Sequence, residues 1–119
     1  FDDAMLAALP QQVVVTRTPW HGGPQRFEGP LLRVLLDAVG ARGTRIVAHA
    51  LNGYRCEIPL DDARRHDVIV ARLHNGQPMR VRDKGPLFIV YPFDSDPALR
   101  ADRTYTRSAW QLRRLVVLP

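Results

Sequence analysis

Two Asn-Gly pairs, Asn52-Gly53 and Asn75-Gly76, are the features that most restrict how this chain can fold. A two-residue hairpin turn needs positive φ at its centre, and the Asn-Gly dipeptide adopts that conformation at little cost. Each pair therefore predicts two antiparallel strands joined by a tight turn. The predicted strands are residues 45–50 with 54–58 around the first pair, and residues 68–73 with 77–81 around the second.

Three further runs of β-branched or apolar residues are typical of strands. They are residues 13–15, residues 87–91, which form the most apolar run, and residues 112–118, which would close the sheet. Residues 18–30 and 92–107 are rich in proline, glycine or aspartate, and they predict two long loops.

Two prolines mark the starts of short helices. Pro30 suits the first position of a helix, and the leucines and valine that follow it at helical spacing end at Gly40, a typical helix stop. Pro59 precedes a helix whose first turn carries Asp61 and Asp62, where carboxylates suit the helix dipole and face solvent. Residues 1–9 are expected to be a helical or irregular lead-in. The fold class predicted is α+β: one domain over residues 1–119, with a mixed, partly rolled sheet of six or seven strands and two or three short helices.

Length and charge exclude several function classes. A chain of 119 residues that is 45% apolar supports one hydrophobic core, and no apolar run approaches the roughly 20 residues of a membrane span. The formal net charge is +5, and Lys84 is the only lysine among 17 basic residues. Because the arginines are dispersed and lie beside acidic residues, nucleic-acid binding is not expected.

The residues of metal and redox chemistry are sparse. Cys56 is the single cysteine, so an internal disulfide and a thiolate metal cluster are both excluded. Cys56 alternates with Tyr54 on its predicted strand and is expected to be a small buried side chain. The four histidines fall in four different segments without ligand spacing. The chain begins with Phe1 rather than methionine, which indicates a processed or trimmed product.

Aromatic and polar side chains collect at strand ends and in the predicted loops. Flat aromatic rings beside carboxylates and arginines suit a planar heterocyclic ligand with a hydrogen-bonding edge. The alternative is that these rings are ordinary core residues with a satisfied polar tip, and composition leaves both interpretations open. The set comprises Trp20, Tyr54, Tyr91, Tyr105 and Trp110 with Arg82, Asp83, Asp94, Arg107 and Ser108.

Four segments in this order resemble the oxidoreductase molybdopterin-binding domain with the sulfite-oxidase fold, in its short bacterial branch. They are Phe27-x-Gly29-Pro30-Leu31-Leu32; Leu51-Asn52-Gly53-Tyr54 with Glu57-Ile58-Pro59-Leu60; Arg82-Asp83-Lys84-Gly85-Pro86-Leu87 with Ile89-Val90-Tyr91-Pro92; and Arg107-Ser108-Ala109-Trp110-Gln111-Leu112. The resemblance spans roughly residues 13–117.

The resemblance also implies a departure from the enzymes of this superfamily. Those enzymes hold molybdenum through a cysteine just after the first strand, where this chain has Val14-Val15-Thr16-Arg17-Thr18 and no cysteine. A threonine hydroxyl does not replace a soft thiolate at neutral pH. The domain is therefore not expected to bind molybdenum or to catalyse a reaction, and no residue is assigned a catalytic role. The alternatives are a molybdopterin-dependent oxidoreductase subunit or remnant, and an interaction module that uses a basic face.

The short branch resembles periplasmic pterin-binding proteins, some of which signal ligand occupancy to membrane receptors that make or break cyclic di-GMP. It implies a tetrahydro- or dihydropterin ligand, a receptor protein partner and a periplasmic location. The carboxylate of Asp83 or Asp94 would accept hydrogen bonds from the amino edge of the pterin. Arg107 and Ser108 match the basic-Ser pair that lies against the cofactor in the enzymes. Trp110 is the first candidate to stack on the ring, followed by Trp20, Tyr54 and Tyr91.

Overall fold

The computed structural model describes residues 3–119 and divides them among four short helices and nine strands. The helices are α1 (Asp3–Ala8), α2 (Leu32–Ala38), α3 (Leu60–Arg65) and α4 (Asp102–Arg107). The strands are β1 (Gln12–Thr16), β2 (Gln25–Gly29), β3 (Arg45–Ala50), β4 (Arg55–Pro59), β5 (Ile69–Ala71), β6 (Leu73–His74), β7 (Gln77–Pro78), β8 (Phe88–Val90) and β9 (Leu112–Leu118). Three 3-10 turns add Val81–Asp83, Phe93–Ser95 and Pro97–Leu99.

The strands form three sheets in the orders β1-β2-β6-β7, β4-β3-β9 and β5-β8. Both predicted turns join antiparallel strands: β3 pairs with β4 around Asn52-Gly53, and β6 pairs with β7 around Asn75-Gly76. The strand predicted over residues 68–73 is divided between β6 and β5, and β5 pairs with β8 in a separate sheet. Each of these strand pairings is antiparallel, so the described residues form three antiparallel sheets where the sequence predicts one mixed, partly rolled sheet. The α+β class is confirmed, with more strands and one more helix than the sequence predicts.

The core lies between the sheets and is organised around large side chains with no exposed surface. Tyr91, Phe27 and Phe88 are the largest of these, and β5 and β8 are buried along their whole length. Strands buried on both faces carry continuous apolar runs, which is why residues 87–91 are the most apolar stretch of the sequence. Within residues 3–119, no helix has the length and apolar character that a bilayer crossing would require.

Two of the predicted loops contain regular structure. In the first loop, β2 lies between β1 and β6, with Phe27 and Gly29 turned inward at a spacing of two residues. The prolines and glycines before it hide this alternation. In the second loop, Asp102–Arg107 is the helix α4. Conversely, the strand predicted over residues 77–81 is only two residues long and passes into the turn Val81–Asp83.

Candidate functional site

A cavity of about 290 Å³ opens beside α4 and is lined mainly by aromatic side chains. Three parts of the chain form it: the loop after β1, the turn between β3 and β4, and α4 with the residues that follow it. Its lining residues are Trp20, Asn52, Tyr54, Tyr105, Thr106, Ser108, Ala109 and Trp110. Four of the eight predicted site residues, Trp20, Tyr54, Ser108 and Trp110, therefore meet around one space.

Trp20 is the centre of the aromatic group. Its ring centroid lies 5.1 Å from that of Trp110 at an interplanar angle of 78°, and 5.9 Å from that of Tyr105 at 75°. It also makes edge contacts with Phe88 and Phe93 in the core. Edge-to-face packing is a favoured arrangement for aromatic pairs, and several such contacts restrict the indole to one orientation. The wall of the cavity that Trp20 forms is thus continuous with the hydrophobic core.

Lys84 covers one face of Trp110. Its ammonium nitrogen lies 4.0 Å from the centroid of the Trp110 ring and 5.9 Å from that of Trp20. Desolvation by burial lowers the pKa of Lys84. Lys84 has φ of +74°, which ends the turn Val81–Asp83. An ammonium over an indole face is a cation–π contact, and it makes the surroundings of Trp110 more electropositive.

Tyr54 connects the β3–β4 hairpin to α4. Its hydroxyl donates a 2.7 Å hydrogen bond to the carbonyl oxygen of Thr106, and its backbone N–H donates to the side-chain oxygen of Asn52. Burial, with a smaller contribution from Cys56, raises the pKa of Tyr54, so the phenol stays a donor at neutral pH. This hydrogen bond joins the two sides of the cavity across 52 positions of sequence. A second one runs from the backbone N–H of Leu51, in the same turn, to the carbonyl oxygen of Gln111.

Ser108 presents a buried oxygen next to the cavity. Its hydroxyl donates 3.0 Å to the carbonyl of Thr104, in the preceding helical turn. The hydroxyl proton is therefore already used, while the oxygen retains a lone pair that can accept from a ligand. Ser108 is thus suited to receive an N–H group rather than to donate a proton.

Arg107 and Tyr91 meet at a carboxylate behind the cavity. One oxygen of Asp62 accepts a 2.8 Å bond from the Tyr91 hydroxyl and a 3.0 Å bond from the Arg107 guanidinium. Burial first, and then Asp62, raise the pKa of Tyr91. Tyr91 is fully buried, and Arg107 and Asp62 are mostly buried. Arg107 and Tyr91, which are both predicted site residues, therefore help to hold α4 in place and do not line the cavity.

Asp83 and Asp94 lie apart from the cavity. The Asp83 carboxylate pairs with Arg80 at 3.2 Å, in an open groove that also contains His21 and His74. The Asp94 carboxylate accepts a 2.9 Å bond from the backbone N–H of Arg17 and so fixes the end of β1. Each carboxylate therefore has a partner within the protein, and a role for either in ligand binding stays a prediction.

The structure brings to this site several residues that the sequence does not mark as site residues. From the sequence, Asn52 is a turn residue, Asp62 is a helix-start carboxylate, and Lys84 is the only lysine and part of a segment that resembles the family. Tyr105 belonged to the aromatic set and could have been selected from it, since it lies one helical turn before Ser108. For Asp62 there was no local signal, because its partners are 29 and 45 residues away.

A protein-family model described as the oxidoreductase molybdopterin-binding domain matches residues 6–93 of this chain. The chain belongs to the oxidoreductase molybdopterin-binding domain family. The α+β architecture agrees with the sulfite-oxidase-type fold of that family. The match covers Trp20 and Tyr54 but ends before Ser108 and Trp110, so one wall of the cavity lies beyond it. No curated protein sequence matches the chain.

The donors of this family member do not fit molybdenum. The end of β1 offers Thr16, which is buried and whose hydroxyl donates to the carbonyl of Arg17 while it accepts from the N–H of Asp94. Cys56 lies on β4, and burial raises the pKa of its thiol to about 11, so it is not a thiolate at neutral pH. Among residues 3–119, no three His, Cys, Asp or Glu side chains are grouped so as to hold a metal ion.

Proposed function

We propose that this domain binds a pterin without acting on it and passes the occupancy of its cavity to a protein partner. The observation that carries the proposal is the aromatic cavity beside α4, in a molybdopterin-binding family member that has no cysteine in or just after its first strand. A pterin needs flat apolar walls and a few hydrogen-bonding groups. A molybdenum centre needs a soft thiolate, which the end of β1 lacks.

The size and lining of the cavity support a small planar ligand. Its volume of about 290 Å³ is at the lower end of ligand sites, which suits a bicyclic ring. Trp110, Trp20 and Tyr54 provide the aromatic surfaces. The side-chain oxygens of Ser108 and Asn52 can accept hydrogen bonds from the amino edge of the ring. In this arrangement neutral acceptors recognise the edge, and Asp83 or Asp94 contributes only if its segment moves toward the ligand.

The location and partner in this proposal come from the resemblance to the short bacterial branch. We place the domain in the periplasm, where it would report a tetrahydro- or dihydropterin to a membrane receptor that makes or breaks cyclic di-GMP. The Tyr54–Thr106 hydrogen bond supports a signalling role, because a ligand between the two walls would act on a hairpin and a helix together. The second candidate, an oxidoreductase subunit or remnant, is favoured by the family match itself.

Calorimetric titration with tetrahydrobiopterin under anaerobic conditions tests the proposal. We expect binding by the natural sequence, with affinity about tenfold lower in Trp110→Ala, because stacking and burial of the ring are lost. Trp110→Phe should retain most of the affinity. The matched carboxylate variants are Asp83→Asn and Asp94→Asn, with Asp61→Asn as the control, since Asp61 is exposed on α3 and makes a surface ion pair with Arg65.

Each outcome decides between the candidates. Weakening by Trp110→Ala alone places the ligand in the cavity and assigns its edge to neutral acceptors. Weakening by Asp83→Asn or Asp94→Asn, with no change in Asp61→Asn, assigns the edge to that carboxylate. The same protein stock is assayed for molybdenum by mass spectrometry. No heat with any reduced pterin, or stoichiometric molybdenum, would reject a non-catalytic pterin-binding domain.

A further inference from the structure

The outer face of the β4-β3-β9 sheet carries an arrangement of side chains that the proposed cavity does not use. Along β3, Ile46, Ala48 and Ala50 are buried against the core, so the alternate residues point away from it. These outward residues are Arg45, Val47 and His49. The flanking strands β4 and β9 continue the same face on either side.

A row of basic side chains crosses this face from strand to strand. His49 on β3 is directly opposite Arg55 on β4 and Arg114 on β9. Both arginines are exposed, and among residues 3–119 neither guanidinium has a hydrogen-bond or ion-pair partner. Two strand spacings separate them, about 10 Å, so a single acidic segment could contact both.

The next row along the sheet is apolar at its centre. Val47 lies opposite Glu57 on β4 and Val116 on β9, and both valines are half-buried. Glu57 is already paired with Arg45 at 3.1 Å. The face therefore has three arginines and one glutamate around an aliphatic centre, with two guanidiniums left for a partner.

We infer that this face, defined by Arg55, His49, Arg114, Val47 and Val116, is a docking surface for an acidic segment of a partner protein. Guanidinium groups bind carboxylates through paired hydrogen bonds, and the valines offer apolar contact between them. The charge of the row and its lack of internal partners select a carboxylate-bearing partner. The docking surface itself does not depend on pterin binding. Only the identification of the partner as the membrane receptor rests on the proposed function.

The docking surface and the cavity share one strand. Tyr54, which lines the cavity, is followed immediately by Arg55, the first residue of β4. A displacement of Tyr54 by a ligand is therefore transmitted through one peptide unit to the basic row. This adjacency gives the proposed sensor a direct route from occupancy to partner.

The test measures binding of a fluorescein-labelled 12-residue peptide of alternating glutamate and valine by anisotropy, at low salt and at physiological salt. We expect Arg55→Glu/Arg114→Glu to bind the peptide about tenfold more weakly than the natural sequence. The matched control, Arg42→Glu/Arg64→Glu, has the same net charge, and its arginines are exposed and unpaired within the described residues. We expect the control to retain peptide binding.

Equal loss of peptide affinity in both double variants would overturn the inference, as would no peptide binding by the natural sequence. Tighter binding to duplex DNA or to phosphatidylglycerol vesicles than to the peptide would also overturn it. So would a dimer that Arg55→Glu/Arg114→Glu dissociates. Pterin titration of the same variants separates the two proposals. Peptide binding that depends on the basic row, in a protein that binds no pterin, would reject the proposed ligand and retain the docking surface.

Discussion

The guanidinium of Arg107 donates a 3.0 Å hydrogen bond to the same oxygen of Asp62 that accepts from the buried hydroxyl of Tyr91. Asp62 lies on α3, and Arg107 is the last residue of α4, so this carboxylate joins two helices and the end of β8. Helix α4, which forms one wall of the cavity, is therefore held in place by the Asp62 oxygen that also accepts from Tyr91.

Asp62→Ala should lower the free energy of unfolding by about 1–3 kcal/mol, because the buried Tyr91 hydroxyl then has no acceptor. Urea denaturation provides the measurement. Asp61→Ala is the adjacent control: its carboxylate is 65% exposed and makes a surface ion pair with Arg65, worth about 0–1 kcal/mol. In the Asp62→Ala background, Tyr91→Phe should be neutral or stabilising, because it removes the orphaned hydroxyl. Equal effects of Asp61→Ala and Asp62→Ala would contradict this account.

Gly29→Ala should destabilise the fold by about 1–3 kcal/mol, because an added methyl group would overlap the backbone carbonyl of Val70. The sheet backbone is too close at this point for any side chain. Gly22→Ala is the matched control, since nothing lies within 4 Å of the position that its methyl group would take. Urea midpoints of the two variants should differ clearly, and a harmless Gly29→Ala would show that β2 and β5 can separate.

The Cys56 thiol should react with iodoacetamide only at high pH. Burial raises its pKa from 9.0 to about 11, so the thiolate fraction in the folded protein is small at neutral pH. The rate in the native protein should still be rising steeply at pH 10, while the rate in concentrated urea should be half-maximal near pH 9 and level off at about pH 10. A native rate that reaches its plateau at about pH 10 or below would show a thiolate that the folded environment does not disfavour.

Lowering the pH should reduce the free energy of unfolding, because His21 and His74 lie together in the open groove. Their ring centroids are 5.0 Å apart. Burial lowers the pKa of both, aided at His21 by His74 and Lys84 and opposed at His74 by Asp83. As the pH falls through about 6.5, the unfolded chain takes up protons first, so stability is lost below that value.

Thermal melting between pH 7.5 and 5 should show this loss, and His74→Gln should reduce the slope because it removes one charge of the pair. His66→Gln, outside the groove, serves as the control and should melt with the slope of the natural sequence. If the control and His74→Gln flatten the profile equally, the pair is not responsible for the acid sensitivity.

Local chemistry determined which parts of the fold could be predicted. The hairpins around Asn52-Gly53 and Asn75-Gly76 are encoded by their own turns, and the predicted residues 112–118 coincide with β9. Strand β2 was missed because its neighbours β1 and β6 stabilise it, and the preceding glycines and prolines conceal its short alternation.

The same distinction holds at the site. Trp20, Tyr54, Ser108 and Trp110 were selected from residue type and resemblance, and the structure brings them around one cavity. The position of Lys84 over Trp110 depends on a left-handed residue at the end of a turn, and no sequence pattern specified it. The contacts of Asp62 depend on how α3 packs against α4, which is a property of the whole fold.

Tyr54 and Arg55 are consecutive residues, one beside the cavity and the other on the outer face of the sheet. The bound ligand and the bound partner would therefore act on the same short stretch of backbone, and they would favour either the same conformation of it or two different ones. Thermodynamic linkage then requires that the partner change pterin affinity by the same factor by which the pterin changes affinity for the partner. A receptor bound to this face would tune the concentration of pterin at which its own sensor responds.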